Sequence, residues 1–415
     1  MTRFLHALLL VAACSHPKPE PAAPSQSQPP VVVLISIDGF RWDFIDRPSA
    51  AGLREIARAG VRARAMEAIF PTKTFPNHYT LVTGLWAEHH GIVGNTMEDE
   101  KLGRFTISDS VAVGTSGWWG GEPIWVTAEK QGRRAAAMFW VGSEAEIAGV
   151  RPSWYMRYDA RLPHDVRVRQ VLDWLRMRPD SAPSFITLYF NVVDDAAHRF
   201  GVEAPQTDSA IVRVDSAVTA LWRGIQQAGM SHRVNLIIVS DHGMTNVSRD
   251  RLVILDDWLE RGSYHVVDLN PVALIRPAPG QETTVLERLR RAPHLTVYSK
   301  NEVPARWHFR DHPRITPIVA AAEEGWTITT REVMQRNPNV GVGGMHGYDN
   351  ALQSMQASFI AAGPAFAQGK VVDRVRNVDV YALMTHVLGL KPAANDGNLD
   401  SIRAVLRTET LRDED

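Results

Sequence analysis

The sequence predicts an α/β fold with a mainly parallel central sheet and helices on both of its faces. Three runs of consecutive apolar, largely β-branched residues are typical of strands buried on both sides in a parallel sheet. These runs lie at residues 31–37, 185–190 and 234–240. The segments between them repeat apolar residues every three or four positions, which indicates amphipathic helices. Strands that alternate with helices predict a sheet that is covered on both sides.

Three predicted helices each have one apolar face. The faces consist of Leu53, Ile56 and Ala57 in the first helix, Val168, Val171, Leu172 and Leu175 in the second, and Ile211, Val214, Val218, Leu221 and Ile225 in the third. Residues of about 250–336 contain few strongly periodic segments. We interpret them as a cap-like insertion in a main domain of residues 31–405, with one short helix that carries Val285, Leu286 and Leu289 on one face.

The first 14 residues form a targeting segment rather than part of the fold. Arg3 precedes a short apolar run, and the run ends at Cys14, the only cysteine of the chain. This pattern is similar to a bacterial lipoprotein signal, which predicts an exported, periplasmic protein that is anchored to a membrane by a lipid on Cys14. An ordinary signal peptide cut near the same place is the alternative. Residues 15–30, rich in Pro, Ala and Ser, predict a tether, and residues 406–415 predict a charged tail.

The charges of the chain nearly cancel, with 45 Lys and Arg against 46 Asp and Glu, and the basic residues form no stripe. Polymeric nucleic acid is therefore not expected as a partner, because its binding depends on clustered positive charge. Small anionic substrates remain open, because a metal ion can supply the charge. The sequence indicates no protein partner.

Each of the three predicted strands leads to an aspartate, namely Asp38, Asp194 and Asp241. Ligands of such sheets bind beyond the carboxyl ends of the strands, so these side chains are expected at one edge of one cleft. Carboxylates that are packed together repel each other and resist burial, and a bound cation relieves both effects. The sequence therefore predicts a cation site at this edge.

Histidines accompany these aspartates at spacings that suit a metal site. His198 follows Asp194 by four residues, one helical turn, and His242 follows Asp241 directly. His346 lies among glycines, which permit close approach of the backbone. Imidazole and carboxylate ligands without thiolate suit zinc, while manganese or another divalent metal remains possible.

A hydroxyl nucleophile is expected in residues 70–78. Pro76 suits the first turn of a helix, and Thr74 lies just ahead of it, in the positive field of the unpaired N–H groups. Metal coordination can lower the pKa of such a hydroxyl and make it nucleophilic. Alternatively, Thr72 or Thr74 only caps the helix.

Several segments resemble, in order, the nucleotide pyrophosphatase/phosphodiesterase family of the alkaline phosphatase superfamily. They lie at residues 37–40, 70–78, 194–198, 240–244 and 346–350, within a resemblance that runs from about residue 31 to about residue 394. The resemblance implies an alkaline phosphatase-like α/β fold, of which only the catalytic domain is present. It also implies hydrolysis of nucleotide-type phosphodiester or pyrophosphate bonds to nucleoside monophosphates.

The resemblance further implies two Zn²⁺ ions per chain and a role for each site residue. One zinc is held by Asp194, His198 and His346, and the second by Asp38, Asp241, His242 and the oxygen of Thr74. Thr74 attacks phosphorus and forms a covalent intermediate, while Asn95 binds a non-bridging phosphate oxygen beside the backbone N–H of Thr74. Phe75 and Tyr189 clamp the nucleobase, and Trp140 and Glu144 line the same pocket.

Other classes are distinguished by residues that the chain has or lacks. A sulfatase is excluded because residues 74–78 lack its Cys or Ser nucleophile and its arginine. Residues 140–143 are uncharged, which favours diesters over monoesters, and residues 149–158 resemble a segment of nucleotide-type members. A choline- or lysophospholipid-directed phosphodiesterase remains the alternative enzyme, and a catalytically silent zinc-binding lipoprotein remains the alternative that is not an enzyme.

Overall fold

A computed structural model describes residues 29–408. The expected signal segment with Cys14, nearly all of the expected tether and the end of the expected charged tail lie outside the described residues. In chain order the strands are β1 (Val31–Ile37), β2 (Val61–Glu67), β3 (Thr96–Asp99), β4 (Gly103–Thr106), β5 (Ala135–Met138), β6 (Trp154–Met156), β7 (Phe185–Phe190), β8 (Val234–Val239), β9 (Thr245–Asn246), β10 (Leu252–Ile254), β11 (Tyr264–Asp268), β12 (Val272–Pro277), β13 (Leu295–Ser299), β14 (Ile318–Ala322), β15 (Thr327–Thr329), β16 (Gly344–Met345), β17 (Phe359–Ala362) and β18 (Lys370–Arg376). The α-helices are α1 (Ala51–Ala59), α2 (Thr74–Thr83), α3 (Ala87–His90), α4 (Ser110–Gly114), α5 (Ile124–Lys130), α6 (His164–Leu175), α7 (Val192–Phe200), α8 (Pro205–Gln227), α9 (Glu282–Leu289), α10 (Arg331–Arg336), α11 (Val380–Leu388) and α12 (Leu399–Ile402).

The main sheet has eight strands in the order β18-β2-β17-β8-β1-β7-β5-β6. β1 lies between β7 and β8 and is parallel to both, and β5 is parallel to β6 and β7. β2 and β18 are also parallel to each other, whereas β17 runs antiparallel to both of its neighbours, β2 and β8. The predicted α/β fold with a mainly parallel sheet is therefore confirmed, with one reversed strand.

Burial on both faces explains the unbroken apolar runs. Alternate residues of β1 belong to two different core clusters: Val31, Val33 and Ile35 to one, and Val32 and Leu34 to the other. α1, α6 and α8 pack into the first cluster, and α2, α5 and α11 pack into the second. The predicted apolar faces of α1, α6 and α8 are buried, except that Leu172 is only partly buried.

The expected insertion contains a second sheet of four antiparallel strands in the order β11-β12-β14-β13. α9 buries Val285 and Leu289 in the core cluster of this sheet, and Leu286 packs against it. The strands were not predicted from the sequence. Three of the five residues of β14 are alanines, which have low β-propensity, so long-range packing rather than local pattern determines its conformation.

Two helices carry four of the residues that were predicted to form the site: Thr74 and Phe75 in α2, and Asp194 and His198 in α7. α2 begins at Thr74 and ends before Gly84, which adopts the left-handed conformation common at helix ends. α7 starts two residues after β7 and places Asp194 and His198 one turn apart, as predicted. Within residues 29–408, no helix is long and apolar enough to cross a membrane.

Candidate active site and metal centre

The three aspartates meet at the carboxyl edge of the main sheet. Asp38 directly follows β1, Asp241 follows β8 by two residues, and Asp194 lies in α7 after β7. Gly39 lies where they converge: it has a φ of +66°, and its N–H donates to Oδ1 of Asp241 at 3.2 Å. A Cβ at Gly39 would lie within about 3 Å of the side chain of Asp194, so only glycine permits this close approach.

The carboxylates and imidazoles form two groups whose potential ligand atoms lie within 4.8 Å of one another. The groups are Asp38, Asp241 and His242, and Asp194, His242 and His346. Nε2 of His242 lies 2.9 Å from Oδ2 of Asp241 and 3.5 Å from Oδ1 of Asp38. We therefore place His242 with Asp38 and Asp241, as the resemblance implies.

The second group is completed by His198, whose Nε2 lies 3.4 Å from Oδ2 of Asp194. Nε2 of His346 lies 3.8 Å from the other oxygen of the same carboxylate. The imidazole rings stand in a row, with 4.9 Å between the centroids of His198 and His346 and 3.5 Å between those of His346 and His242. The six predicted carboxylate and imidazole ligands thus form one continuous cluster.

Backbone carbonyls fix the orientation of all three histidine rings. Nδ1 of His198 donates to the carbonyl of Gly344 at 2.8 Å, and Nδ1 of His346 donates to that of Thr72 at 2.8 Å. Nδ1 of His242 donates to the carbonyl of Gly243 at 2.9 Å. A neutral imidazole with its proton on Nδ1 presents the lone pair of Nε2, which is the arrangement of metal-binding histidines.

The carboxylates leave three buried oxygen atoms without a hydrogen-bond partner among the described residues: Oδ1 of Asp38, Oδ1 of Asp194 and Oδ2 of Asp241. Oδ2 of Asp241 lies 2.9 Å from Nε2 of His242, but this nitrogen carries no proton when Nδ1 is the donor to Gly243, so it cannot donate a hydrogen bond to the carboxylate. Buried carboxylate oxygens without partners are costly in free energy. A divalent cation between these atoms would provide the missing partner, so the residues present fit a metal site.

The pKa shifts of Asp38 and His346 agree with this interpretation, whereas those of Asp241 and His242 reflect their direct contact. Despite burial, Asp241 holds the pKa of His242 above its ordinary value, and His242 holds the pKa of Asp241 well below its ordinary value. Burial, followed by the charges of Asp241 and Asp194, raises the pKa of Asp38 well above its ordinary value. Burial, followed by the neighbouring His242 and His198, lowers the pKa of His346 well below its ordinary value, so this ring is neutral. A neutral imidazole beside Asp38 and Asp194, two carboxylates whose pKa burial raises, is suited to bind a cation.

Thr72 and Thr74 have different environments. Oγ1 of Thr72 is fully buried, donates to the carbonyl of Tyr348 and accepts from the N–H of Gly347, each at 3.0 Å. Oγ1 of Thr74, at the first residue of α2, lies 3.4 Å from Nε2 of His242. Thr74 therefore presents its hydroxyl to the ligand cluster, whereas the hydroxyl of Thr72 is used within the fold.

His78, for which the sequence predicted no role, is fully buried next to the cluster. Its Nδ1 donates to the carbonyl of Thr74 at 2.9 Å and lies 3.3 Å from Oδ2 of Asp241, while its Nε2 contacts Oγ of Ser36 at 2.8 Å. His78 therefore connects the nucleophile segment to a ligand. The spacing of four residues from Thr74 on one helix was the signal that could have revealed it.

Asn95 and Phe75 lie beside Thr74. Oδ1 of Asn95 accepts from the N–H of Phe75 at 3.0 Å, and this contact orients the amide so that Nδ2 remains available as a donor. The ring of Phe75 is half-buried, with its centroid 5.8 Å from that of Phe105 and 6.3 Å from that of Trp119.

The other predicted substrate-binding residues mainly support the site. The hydroxyl of Tyr189 donates to Oδ2 of Asp38 at 2.5 Å. Trp140 is only 5% exposed, and its Nε1 donates to the carbonyl of His78 at 3.1 Å. Glu144 accepts from the backbone N–H of Tyr158 at 3.0 Å.

Tyr158, which the sequence analysis did not single out, has the more open ring. It is 48% exposed, and its centroid lies 5.8 Å from that of the half-buried Tyr189. The resemblance of residues 149–158 to nucleotide-type members was the signal that could have revealed it.

Comparisons with known proteins agree with these features. The profile of the family described as type I phosphodiesterase/nucleotide pyrophosphatase matches residues 32–349. A bis(5'-adenosyl)-triphosphatase of Xenopus laevis is 38% identical over 390 residues, which cover 93% of this chain and 84% of that protein. Member 5 of the human ectonucleotide pyrophosphatase/phosphodiesterase family is 35% identical over 413 residues, which cover 99% of this chain and 84% of that protein.

Solved structures give the same result. The murine ectonucleotide pyrophosphatase/phosphodiesterase 5, as an inactive threonine-to-alanine variant in complex with AMP, superimposes with a TM-score of 0.86 at 35% identity. The match covers 91% of this chain and 100% of that one.

Proposed function

The chain belongs to the type I phosphodiesterase/nucleotide pyrophosphatase family of the alkaline phosphatase superfamily, and we propose that it cleaves nucleotide-type phosphodiester and pyrophosphate bonds with Thr74 as its nucleophile. It is an enzyme of the nucleotide pyrophosphatase/phosphodiesterase class. The observation that carries the proposal is the hydroxyl of Thr74, 3.4 Å from a cluster that contains three buried carboxylate oxygens without hydrogen-bond partners.

Two Zn²⁺ ions are the proposed cofactors. Asp194, His198 and His346 would hold one ion, and Asp38, Asp241, His242 and Oγ1 of Thr74 would hold the other. When bound, the ions would neutralise the carboxylates, lower the pKa of the nucleophile and stabilise the charge on the attacking and leaving oxygens. The three available Nε2 atoms support zinc, in a cluster whose ligands among residues 29–408 are imidazoles and carboxylates.

The chain's own groups position the substrate and perform the displacement. Thr74 would attack phosphorus in line with the leaving group, whose bond to phosphorus breaks, and this gives a nucleotidyl-threonine. Water would then break the bond between phosphorus and Oγ1 and release a nucleoside monophosphate. Nδ2 of Asn95, held by its contact with the N–H of Phe75, would donate to a non-bridging phosphate oxygen as charge develops. His78 would hold the carbonyl of Thr74 and Oδ2 of Asp241 in a fixed position relative to each other.

Nucleotide substrates are supported by the relatives and by two aromatic rings. The name of the Xenopus relative states that it cleaves a bis-adenosyl triphosphate, and the murine structure contains AMP. In this chain, Phe75 follows the nucleophile, and the exposed ring of Tyr158 contacts Tyr189, which holds Asp38. We therefore assign base stacking to Phe75 and Tyr158 and give Tyr189 the role of positioning Asp38.

Paired threonine variants test the nucleophile. Thr74→Ala should lower kcat/KM for a p-nitrophenyl nucleotide by at least about 10³-fold, because residual catalysis without a covalent nucleophile is small. Thr72→Ala, the matched control, should chiefly reduce stability, since it removes a buried hydroxyl with two hydrogen bonds. An inactive Thr72→Ala together with an active Thr74→Ala would refute the assignment.

The same assay separates the substrate classes. Wild-type enzyme should hydrolyse the p-nitrophenyl nucleotide more efficiently than p-nitrophenyl phosphorylcholine. The reverse preference would indicate the choline-directed alternative, and no turnover of either would indicate the silent lipoprotein.

From the sequence alone, we propose that the protein is exported and carries a lipid on Cys14. Mass spectrometry of the mature protein from its own host should detect the lipid, and a mature N-terminus without lipid would exclude the anchor.

A further inference from the structure

A cavity of about 440 Å³ opens beside His198 at the end of the ligand cluster that is furthest from Thr74. Its lining residues include Arg199, Phe200, Asn337, Asn339 and Val342, in addition to His198. This size falls within the range of small-molecule sites. Apart from His198, which belongs to the ligand cluster, these residues have no part in the proposed mechanism.

The wall of this cavity that contains Gly343 packs closely against the end of α7. A Cβ at Gly343 would lie 2.0 Å from the carbonyl oxygen of His198, so the loop that contains Gly343 approaches the end of α7 as closely as only a glycine permits. The next residue, Gly344, accepts the hydrogen bond from Nδ1 of His198. One loop therefore both orients His198 and forms a wall of the cavity.

The lining combines a cation with apolar and amide groups. Arg199 is exposed and forms no ion pair within residues 29–408, and its guanidinium lies 5.1 Å from the centre of the Phe200 ring. Phe200 is 44% exposed and Val342 is 38% exposed. An unpaired guanidinium suits phosphate, an open aromatic ring suits a nucleobase, and two asparagines offer amide donors and acceptors.

The order of groups in the cluster indicates which part of the substrate would reach this cavity. Thr74 lies next to His242, and His346 and His198 follow in the row of rings. An in-line displacement requires the leaving oxygen to lie opposite the attacking oxygen. The departing group would therefore emerge at His198, whereas Asn95 and Phe75 remain beside the nucleophile with the nucleotide that is transferred to it.

We propose that this cavity binds the departing nucleotide of a dinucleoside polyphosphate, with its phosphates at Arg199 and its base on Phe200. This inference rests on the proposed function, because it assumes that Thr74 attacks a nucleotide-type substrate. It extends that function by giving the enzyme a preference for leaving groups that are themselves nucleotides.

The test compares two substrates that share the transferred nucleotide and differ in the leaving group: diadenosine triphosphate and the p-nitrophenyl ester of AMP. Arg199→Ala and Phe200→Ala should each lower the ratio of their kcat/KM values by roughly 10-fold, the scale of one lost stacking or phosphate contact. Arg199→Lys should restore part of the ratio. Arg223→Ala, which removes an exposed arginine of α8 that does not line this cavity, should leave the ratio unchanged.

A binding measurement provides a readout independent of turnover. In a Thr74→Ala background, Arg199→Ala should raise the Kd of diadenosine triphosphate by roughly the same factor. If wild-type enzyme hydrolyses neither substrate, the proposed function itself is wrong. If it hydrolyses both and the variants change both kcat/KM values equally, or change neither, the cavity does not bind the leaving nucleotide.

Discussion

Two groups of buried charges lie close to Thr74, and they are neutralised in different ways. Lys73, the residue before the nucleophile, donates from Nζ to Oδ2 of Asp268 at 2.7 Å, with side-chain exposures of 5% and 9%. The other oxygen of Asp268 accepts from the N–H of Leu269. In the ligand cluster, by contrast, Asp38, Asp194 and Asp241 each retain an oxygen without a hydrogen-bond partner among the described residues.

This difference distinguishes a structural charge from a functional one. A carboxylate whose two oxygens are both paired by the protein is stabilised without a metal ion, whereas three carboxylates that each keep an oxygen without a partner are suited to bind a cation. The Lys73–Asp268 pair also joins the nucleophile segment to β11 of the second sheet. We infer that this pair secures the start of α2, while the cluster binds the metal ions.

The largest expected effect is that of removing the metal ions from the cluster. Exhaustive chelation should abolish hydrolysis of the p-nitrophenyl nucleotide and lower the Tm, because the carboxylates lose their counter-charge and the folded state loses bound ligand. Zinc should restore both, and elemental analysis of active protein should find about two ions per chain. Full activity in protein verified as metal-free would contradict the mechanism.

A second prediction concerns the Lys73–Asp268 pair. Asp268→Asn should lower the free energy of unfolding by about 3–5 kcal/mol, because it leaves the buried ammonium of Lys73 without its counter-charge. The double variant Lys73→Met/Asp268→Asn should recover much of this loss, as urea denaturation would measure.

The contrast with the cluster is tested by metal content. Asp268→Asn should keep its metal ions, whereas Asp241→Asn should lose metal affinity, because it replaces a carboxylate that faces His242 and His78. Comparable loss of metal from both variants would show that the two groups of charges do not have separate roles.

Site residues that local sequence patterns relate could be predicted, whereas contacts between residues far apart in the chain could not. Asp38 and Asp241 follow strands that are recognisable from local pattern, and Asp194 and His198 are four residues apart on one helix, so local rules placed them. The Lys73–Asp268 contact joins residues 195 positions apart, and no local pattern relates them. The alanine-rich β14 was missed for a similar reason, because its conformation depends on partners elsewhere in the sheet.

The aromatic residues show a different limit. The register of β1 and β7 pairs Tyr189 with Ser36 and brings its hydroxyl to Asp38, a contact that the sequence did not predict, while base stacking on its ring stays a prediction. Trp140 is only 5% exposed, and its Nε1 donates to the carbonyl of His78. A sequence reveals that a ring is present near the site, but whether the ring is open depends on contacts that form only in the fold.

The smallest expected effect is on base stacking, and it distinguishes an open ring from one that holds a ligand. Tyr158→Ala should lower kcat/KM for a p-nitrophenyl nucleotide by roughly 10-fold, the scale of one lost stacking contact, and should change little for bis(p-nitrophenyl) phosphate, which has no base. Tyr158→Phe should retain the wild-type value, and Tyr155→Ala, at an exposed tyrosine of the same segment, is the control.

Tyr189→Phe should instead weaken turnover of both substrates together, because the lost hydroxyl orients Asp38 rather than the base. If Tyr189→Ala impairs only the nucleotide substrate while Tyr189→Phe and Tyr158→Ala impair neither substrate, the base stacks on Tyr189, and the support of Asp38 does not require the tyrosine hydroxyl.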